Sequence, residues 1–224
     1  SGDYWRNWGV VFDRVILRRM ALVNSDIMIR SVLLQIGFVS FLFLGSSFDD
    51  TTLAANQVLI QFLFITSHGM DGFAFAAEAL IGQALGAKDR TSLRRSVMLT
   101  SFWAAIVIVI LSVFFAVWGG WLIDLMAKAP AVQAEARDYL FWMVLAPFLG
   151  GPSWMLDGIF IGATRSRDMR NMMVVSFAIY LMSVWLLLGP FGNHGLWASL
   201  LIFFVARGVT LACRYPALER GADE

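Results

Sequence analysis

Residues Thr51–Gly86 read TTLAANQVLIQFLFITSHGMDGFAFAAEALIGQALG, an apolar run longer than the roughly 20 residues a helix needs to cross a bilayer core. Thr51 to Met70 carries no charge, but Asp71 and Glu78 sit in the run that continues from Gly69 to Leu85, and the turn signal Gly86-Ala87-Lys88-Asp89 follows. The segment therefore predicts one long, acidic, membrane-crossing helix. Along it Gln57, Gln61, Phe64, His68, Asp71, Phe75, Glu78 and Gly82 recur in alternating steps of four and three, which keeps them on one narrow face. Ionisable groups at membrane depth are costly and usually face a bundle interior or a wet cavity, so this stripe is expected to line something other than lipid. The alternatives are interhelical glue or, for Glu78 above all, a place near the inner interface. Asp71 comes about 20 residues, roughly 30 Å of helix, after Asp50.

The rest of the chain reads the same way. Of its 224 residues 59% are hydrophobic and 15% charged, with a mean hydropathy of +0.71, whereas a soluble domain carries about a quarter charged residues. Charge is also absent from Ser31 to Phe48, Ser96 to Ile123, Tyr139 to Leu156 and Asn171 to Ala206. The last stretch is too long for one crossing, and Gly189, Pro190, Gly192, Asn193 and Gly195 break it where a turn is needed. Six spans result, about 30–48, 51–86, 95–120, 131–164, 169–188 and 195–213. In the fourth, Pro147, Gly150, Gly151 and Pro152 interrupt the apolar pattern, and a kink or unwound turn is expected there.

Cationic residues test this segmentation, because cytoplasmic connections carry the excess of Lys and Arg. About 15 of the 17 fall on one side, in groups around Arg14 to Arg30, Lys88 to Arg95, Arg165 to Arg170 and Arg207 to Arg220, leaving Lys128 and Arg137 for the other. Both termini are read as cytoplasmic. Trp118 and Trp121 suit the far headgroup belt, and Arg207 is expected to snorkel to the near one. Residues 1–29 read as a linker with an amphipathic surface helix, since Val11, Phe12, Val15, Ile16 and Leu22 lie among Arg14, Arg18 and Arg19 at helical spacing. Residues 215–224 read as a cytoplasmic tail. The stretch before Ser31 lacks the single apolar run of a secretory signal. Because the chain opens on Ser1 rather than Met, it is expected to be the second part of a longer protein or a processed one.

Several function classes are excluded by composition and motif. The net charge of +1 offers no field for nucleic acid, and the single Cys213 rules out a disulfide framework or a cysteine-built zinc site. No GxSxG, Walker-type GxxxxGK[ST], HExxH or GxGxxG occurs, so neither an enzyme nor an ATP-driven pump is expected, and no cofactor or metal is implied. Instead, Trp154, Asp157 and Gly158 stand just beyond the Pro/Gly break, as in transporters that place an acid beside a broken helix. Asp-Gly occurs twice, as Asp71-Gly72 and Asp157-Gly158, each followed by a GxxxG: Gly82 to Gly86 and Gly158 to Gly162. Close helix packing is the reading given to both glycine pairs. Phe64, Met70, Phe73 and Trp154 are expected to supply a soft apolar wall near the acids, and His194 to be a solvated turn residue.

Leu53-Ala-Ala-Asn-Gln-Val-Leu-Ile-Gln-Phe62, followed by Asp71-Gly-Phe-Ala-Phe-Ala-Ala-Glu-Ala-Leu-Ile-Gly-Gln-Ala-Leu-Gly-Ala-Lys-Asp-Arg90, resembles the eighth helix of multidrug and toxic compound extrusion (MATE) transporters, in the spelling of the DinF-like branch. Trp154-Met-Leu-Asp-Gly-Ile-Phe-Ile-Gly-Ala-Thr-Arg-Ser-Arg-Asp168 resembles their tenth helix, where Asp157 matches an acid linked with cation binding in some members. The resemblance implies an all-α membrane protein: six transmembrane helices forming one lobe, with a second six-helix lobe in the same or another chain. It implies export of organic, often cationic, molecules in exchange for H+ or Na+ by alternating access, from the bacterial inner membrane. In the DinF-like branch the acid most associated with proton coupling lies on the other lobe. On this basis Asp71, Asp157 and Glu78 are candidate proton- or cation-binding residues, and Gln57, Gln61, Phe64, His68, Met70 and Trp154 candidate cavity residues. Expected partners are membrane lipid, a cationic small molecule and the second lobe. Two rival readings are a flippase of lipid-linked precursors, for which Arg207 is the one basic residue visible in the spans, and a non-transporting subunit whose stripe binds a partner helix.

Overall fold

A computed structural model describes residues 14–221, which form five helices: α1, Arg14–Gly45; α2, Asp50–Gly86; α3, Arg90–Met126; α4, Pro130–Gly162; and α5, Ser166–Arg220. Local chemistry sets their starts. Asp49 caps α2 by accepting the Thr52 N–H at 2.7 Å, Asp89 caps α3 by accepting Thr91 and Ser92 N–H at 2.9 and 3.0 Å, and Pro130 opens α4 where no backbone N–H is needed. All five helices are long and apolar enough to cross a membrane. Their outer surface carries exposed Phe43, Met98, Trp118, Trp121 and Trp185, a coat that suits hydrocarbon and not water.

Two local expectations meet a different outcome, and a third, the break within Gly189 to Gly195, is found at Gly192. α1 runs without a break through Arg30, so residues 14–29 are continuous with the first span and are not a separate helix; Val11 and Phe12 lie outside the described residues. α4 stays helical through Pro147 and Pro152, without an unwound turn. Neighbouring helices bury much of the segment, Pro147, Gly150, Gly151 and Ser153 included. α5 bends at Gly192, whose φ of 54° and ψ of −130° are left to glycine. Its two limbs lie side by side, with Ser176 and Thr210 hydroxyls 3.2 Å apart and the Tyr180 and Phe203 rings 5.3 Å apart. Beside the bend, buried Asn193 exchanges hydrogen bonds of 2.8 and 2.9 Å with Asn56 of α2, whose carbonyl also accepts Trp197 Nε1–H at 2.9 Å. His194 is exposed there but accepts Trp142 Nε1–H at 3.1 Å.

α4 is the central helix, packed against α2, α3 and α5, while α1 leans on α5. Two apolar clusters flank its middle. One is built from Phe41, Phe62, Phe115, Tyr180, Trp197 and Phe203, the other from Met70, Ile81, Leu93, Ile159, Phe160 and Leu211. Trp154 touches both.

Candidate functional site

Between the two clusters α1, α2, α4 and α5 surround a hollow of about 370 Å³. Glycine sets its width. A Cβ on Gly158 would strike the Ala74 carbonyl, and one on Gly162 would come 2.5 Å from the Glu78 carbonyl, so α4 approaches the α2 backbone at these two positions. The glycines of α2 play no such part: a Cβ on Gly82 would find an ordinary 3.5 Å contact, and one on Gly86 or Gly72 would meet no described atom within 4 Å. Close packing thus holds for the Gly158–Gly162 pair and not for Gly82–Gly86.

The α2 wall presents Phe64, His68, Asp71 and Glu78. Asp71 and Glu78 are partly buried, and among the described residues neither has an ion-pair or hydrogen-bond partner. His68 is turned to its own helix, with Nδ1 donating to the Phe64 carbonyl at 2.6 Å. The facing wall is built differently. Asp157 of α4, 7% exposed, receives Nη2 of Arg207 from α5 at 2.5 Å and Nη2 of Arg30 from α1 on the same oxygen. Arg207 is 2% exposed, and its guanidinium carbon lies 5.8 Å from both the Phe203 and the Phe204 ring centroids. Between the walls the rings of Phe64, Phe38, Phe204 and Trp154 follow one another with centroid separations of 5.6, 6.0 and 5.6 Å.

Six of the residues singled out from sequence therefore line one hollow: Phe64, His68, Asp71, Glu78, Trp154 and Asp157. The other three do not. Gln57 and Gln61 border a separate recess of about 340 Å³ beside Lys128, nearer the start of α2. Met70, one residue and about 100° away from Asp71, is fully buried in the cluster with Ile81 and Ile159.

Sequence reasoning missed Arg30 and Arg207. The sequence places Arg30 in the first cytoplasmic connection and Arg207 at the near headgroup belt, yet Arg207 does not snorkel; it is buried on Asp157. A signal was present, since Arg207 follows the apolar run Phe203-Phe204-Val205-Ala206, and an acid as deep as Asp157 calls for a cation. The turns after α2 and α4 were also not read as alike. Lys88 and Thr164 both have positive φ, 53° and 54°, and the same backbone bonds close each turn: Lys88 to Leu85 and Asp89 to Ala84 in one, Thr164 to Ile161 and Arg165 to Phe160 in the other.

Apolar helices long enough to span a bilayer, wrapped around a chamber with charged walls, define a polytopic α-helical membrane protein. The chain belongs to the MatE family, whose model matches residues 27–186. It is 40% identical over 199 residues to DNA damage-inducible protein F of Escherichia coli K12, an alignment that spans 87% of this chain and 42% of that protein. In fold it is similar to the Vibrio cholerae MATE transporter VcmN in its bent form, with a TM-score of 0.85 at 18% identity, over 100% of this chain and 50% of that one. The chain thus spans about half the length of the relatives it matches.

Proposed function

We propose that this chain is one lobe of a secondary antiporter that exports organic cations in exchange for H+ or Na+ by alternating access. Family membership supports the transport class, and the share of each relative covered supports a second lobe. Counting the limbs of α5 on either side of Gly192 separately gives six crossings, and the Lys/Arg distribution favours an inner-membrane protein with cytoplasmic termini.

The observation that carries this reading is the contrast in the hollow between two carboxylates without partners among the described residues and one with two. Asp71 and Glu78 stand on an aromatic-lined wall, and among the described residues neither forms an ion pair, the arginines of the same hollow being bonded to Asp157. Either carboxylate can hold a proton or a cationic ligand but not both at once, so protonation from outside releases the ligand. Asp157 takes a role other than the one expected from its sequence position: with Arg30 and Arg207 on it, its charge is already spoken for, and it organises the chamber. In proteoliposomes of the full-length protein with an imposed pH gradient, Asp71→Asn and Glu78→Gln should abolish or uncouple export of ethidium. Proton-driven export unchanged in both would end the reading.

A second reading, a flippase for lipid-linked precursors, is favoured by one feature: two arginines, not one, lie in the chamber wall. It predicts movement of a fluorescent polyprenyl diphosphate between leaflets and no ethidium flux.

A further inference from the structure

We propose that Arg30 and Arg207 form a subsite for an anionic oxyacid group, a carboxylate or phosphate monoester, on a ligand held in the hollow. The proposal rests on the hollow being the ligand chamber of the antiporter reading and adds a second polarity to it.

Charge is the first argument. Two guanidinium groups share the single carboxylate of Asp157, which leaves one positive charge in excess at a place where Arg207 is 2% exposed and the Arg30 side chain 13%. Excess charge in a low-dielectric wall is expensive, and the Phe203 and Phe204 rings offset part of that cost. Asp71 and Glu78 are in the same chamber but bond to neither arginine.

Unused donors are the second argument. Arg30 Nε, Arg207 Nε and Arg207 Nη1 are buried and have no acceptor among the described residues. Buried donors are nearly always paired, so three orphans on two neighbouring cations mark a place where acceptor oxygens belong. Asp157 uses one Nη2 of each arginine and leaves these buried donors without an acceptor among the described residues. It also holds together two like charges that would otherwise repel, so the subsite is assembled before any ligand arrives. From there Phe204 and Phe38 lead to Phe64 on α2, the helix that carries the acids. A volume of about 370 Å³ accommodates an aromatic body between the two poles.

A lipid headgroup and a soluble organic anion present the same oxygens, so the test separates them. Full-length protein in phosphatidylcholine nanodiscs is titrated calorimetrically with 2-naphthoate, 2-naphthyl phosphate and 2-naphthyltrimethylammonium. Arg30→Gln, which keeps the Arg207–Asp157 pair, should weaken both anions about tenfold and leave the ammonium compound within twofold. Asp71→Asn should do the reverse. Its failure to weaken the ammonium compound would count against the antiporter reading while leaving the anion result intact. Adding phosphatidylglycerol to the discs should compete with naphthoate if the natural source is lipid, and have no effect if it is a soluble anion; either result is compatible with the subsite. Equal anion affinity in wild type and in Arg30→Gln of unchanged thermal midpoint would overturn it. So would ammonium binding with no measurable binding of either anion.

Discussion

Asp71-Gly72 on α2 and Asp157-Gly158 on α4 are the same dipeptide on packed neighbouring helices, and the folded chain uses them in opposite ways. Asp71 is partly buried with no partner among the described residues, and a Cβ on Gly72 beside it would meet no described atom of another helix within 4 Å. Asp157 is buried under two arginines, and Gly158 beside it fits against the Ala74 backbone. Even their positions differ. Measured back from the two matching turns, the GxxxG pairs coincide, but Asp71 lies roughly 15 Å farther along its helix than Asp157. Likeness in the glycines and turns therefore does not extend to the acids. An acid's role follows from the cations that its neighbours bring to it, not from the residue that follows it.

The largest effect that separates the pair is electrostatic. Asp157→Leu leaves Arg30 and Arg207 facing each other with no counter-charge and should cost about 3–5 kcal/mol. Asp71→Leu should stay within about 0.5 kcal/mol, because no partner loses a bond. Urea or thermal unfolding of the purified full-length protein in detergent measures both, and equal losses would remove the distinction. Adding Arg30→Gln to Asp157→Leu should recover part of the stability, which makes the coupling measurable as a double-mutant cycle.

Packing gives the next effect. Gly158→Val or Gly162→Val drives a side chain into the α2 backbone and should cost about 1–3 kcal/mol or more, with a lower melting temperature. Gly86→Ala and Gly72→Ala have open space around them and should raise stability by about 0.5–1 kcal/mol through the helix preference of alanine. A Gly86→Ala penalty as large as that of Gly158→Val would mean that both glycine pairs pack alike.

The smallest effect lies in the connections that follow the two helices. Asp89 caps α3 after the first turn, whereas Arg165 at the start of α5 provides no side-chain cap after the second. The Ser92 hydroxyl and backbone N–H hold the Asp89 carboxyl below the ordinary range. Its contribution is therefore fully present above the unfolded carboxylate range and disappears as pH falls through the lowered folded value. Asp89→Ala should lower the melting temperature slightly at neutral pH and make no difference once the pH is below that value. Arg165→Ala should not reproduce this pH dependence.

Much of the fold was legible because transfer to hydrocarbon is a property of composition. Charge-free stretches marked the helices, and Gly189, Pro190 and Gly192 marked the bend now seen at Gly192. Asp89 and Pro130 are placed as local rules require. Where prediction failed, the missing information was tertiary. Pro147 and Pro152 suggested a kink or unwound turn, but α4 stays helical through both. Arg30 and Arg207 looked interfacial because a count of charges along the chain says nothing about what lies across a helix contact. Gln57 and Gln61 shared a periodicity with Asp71, yet periodicity fixes a face and not the extent of the chamber.

Sequence alone determined that these residues form long helices, that the helices lie in lipid, and that α2 carries a polar stripe: hydrophobicity, capping and period act over a few neighbouring residues. The tertiary structure decided which carboxylate is neutralised. Arg30 and Arg207 are separated from Asp157 by 127 and 50 residues of chain. Coulomb energy depends on distance in space, and that distance is set only when α5 packs against α4 and α1 against α5.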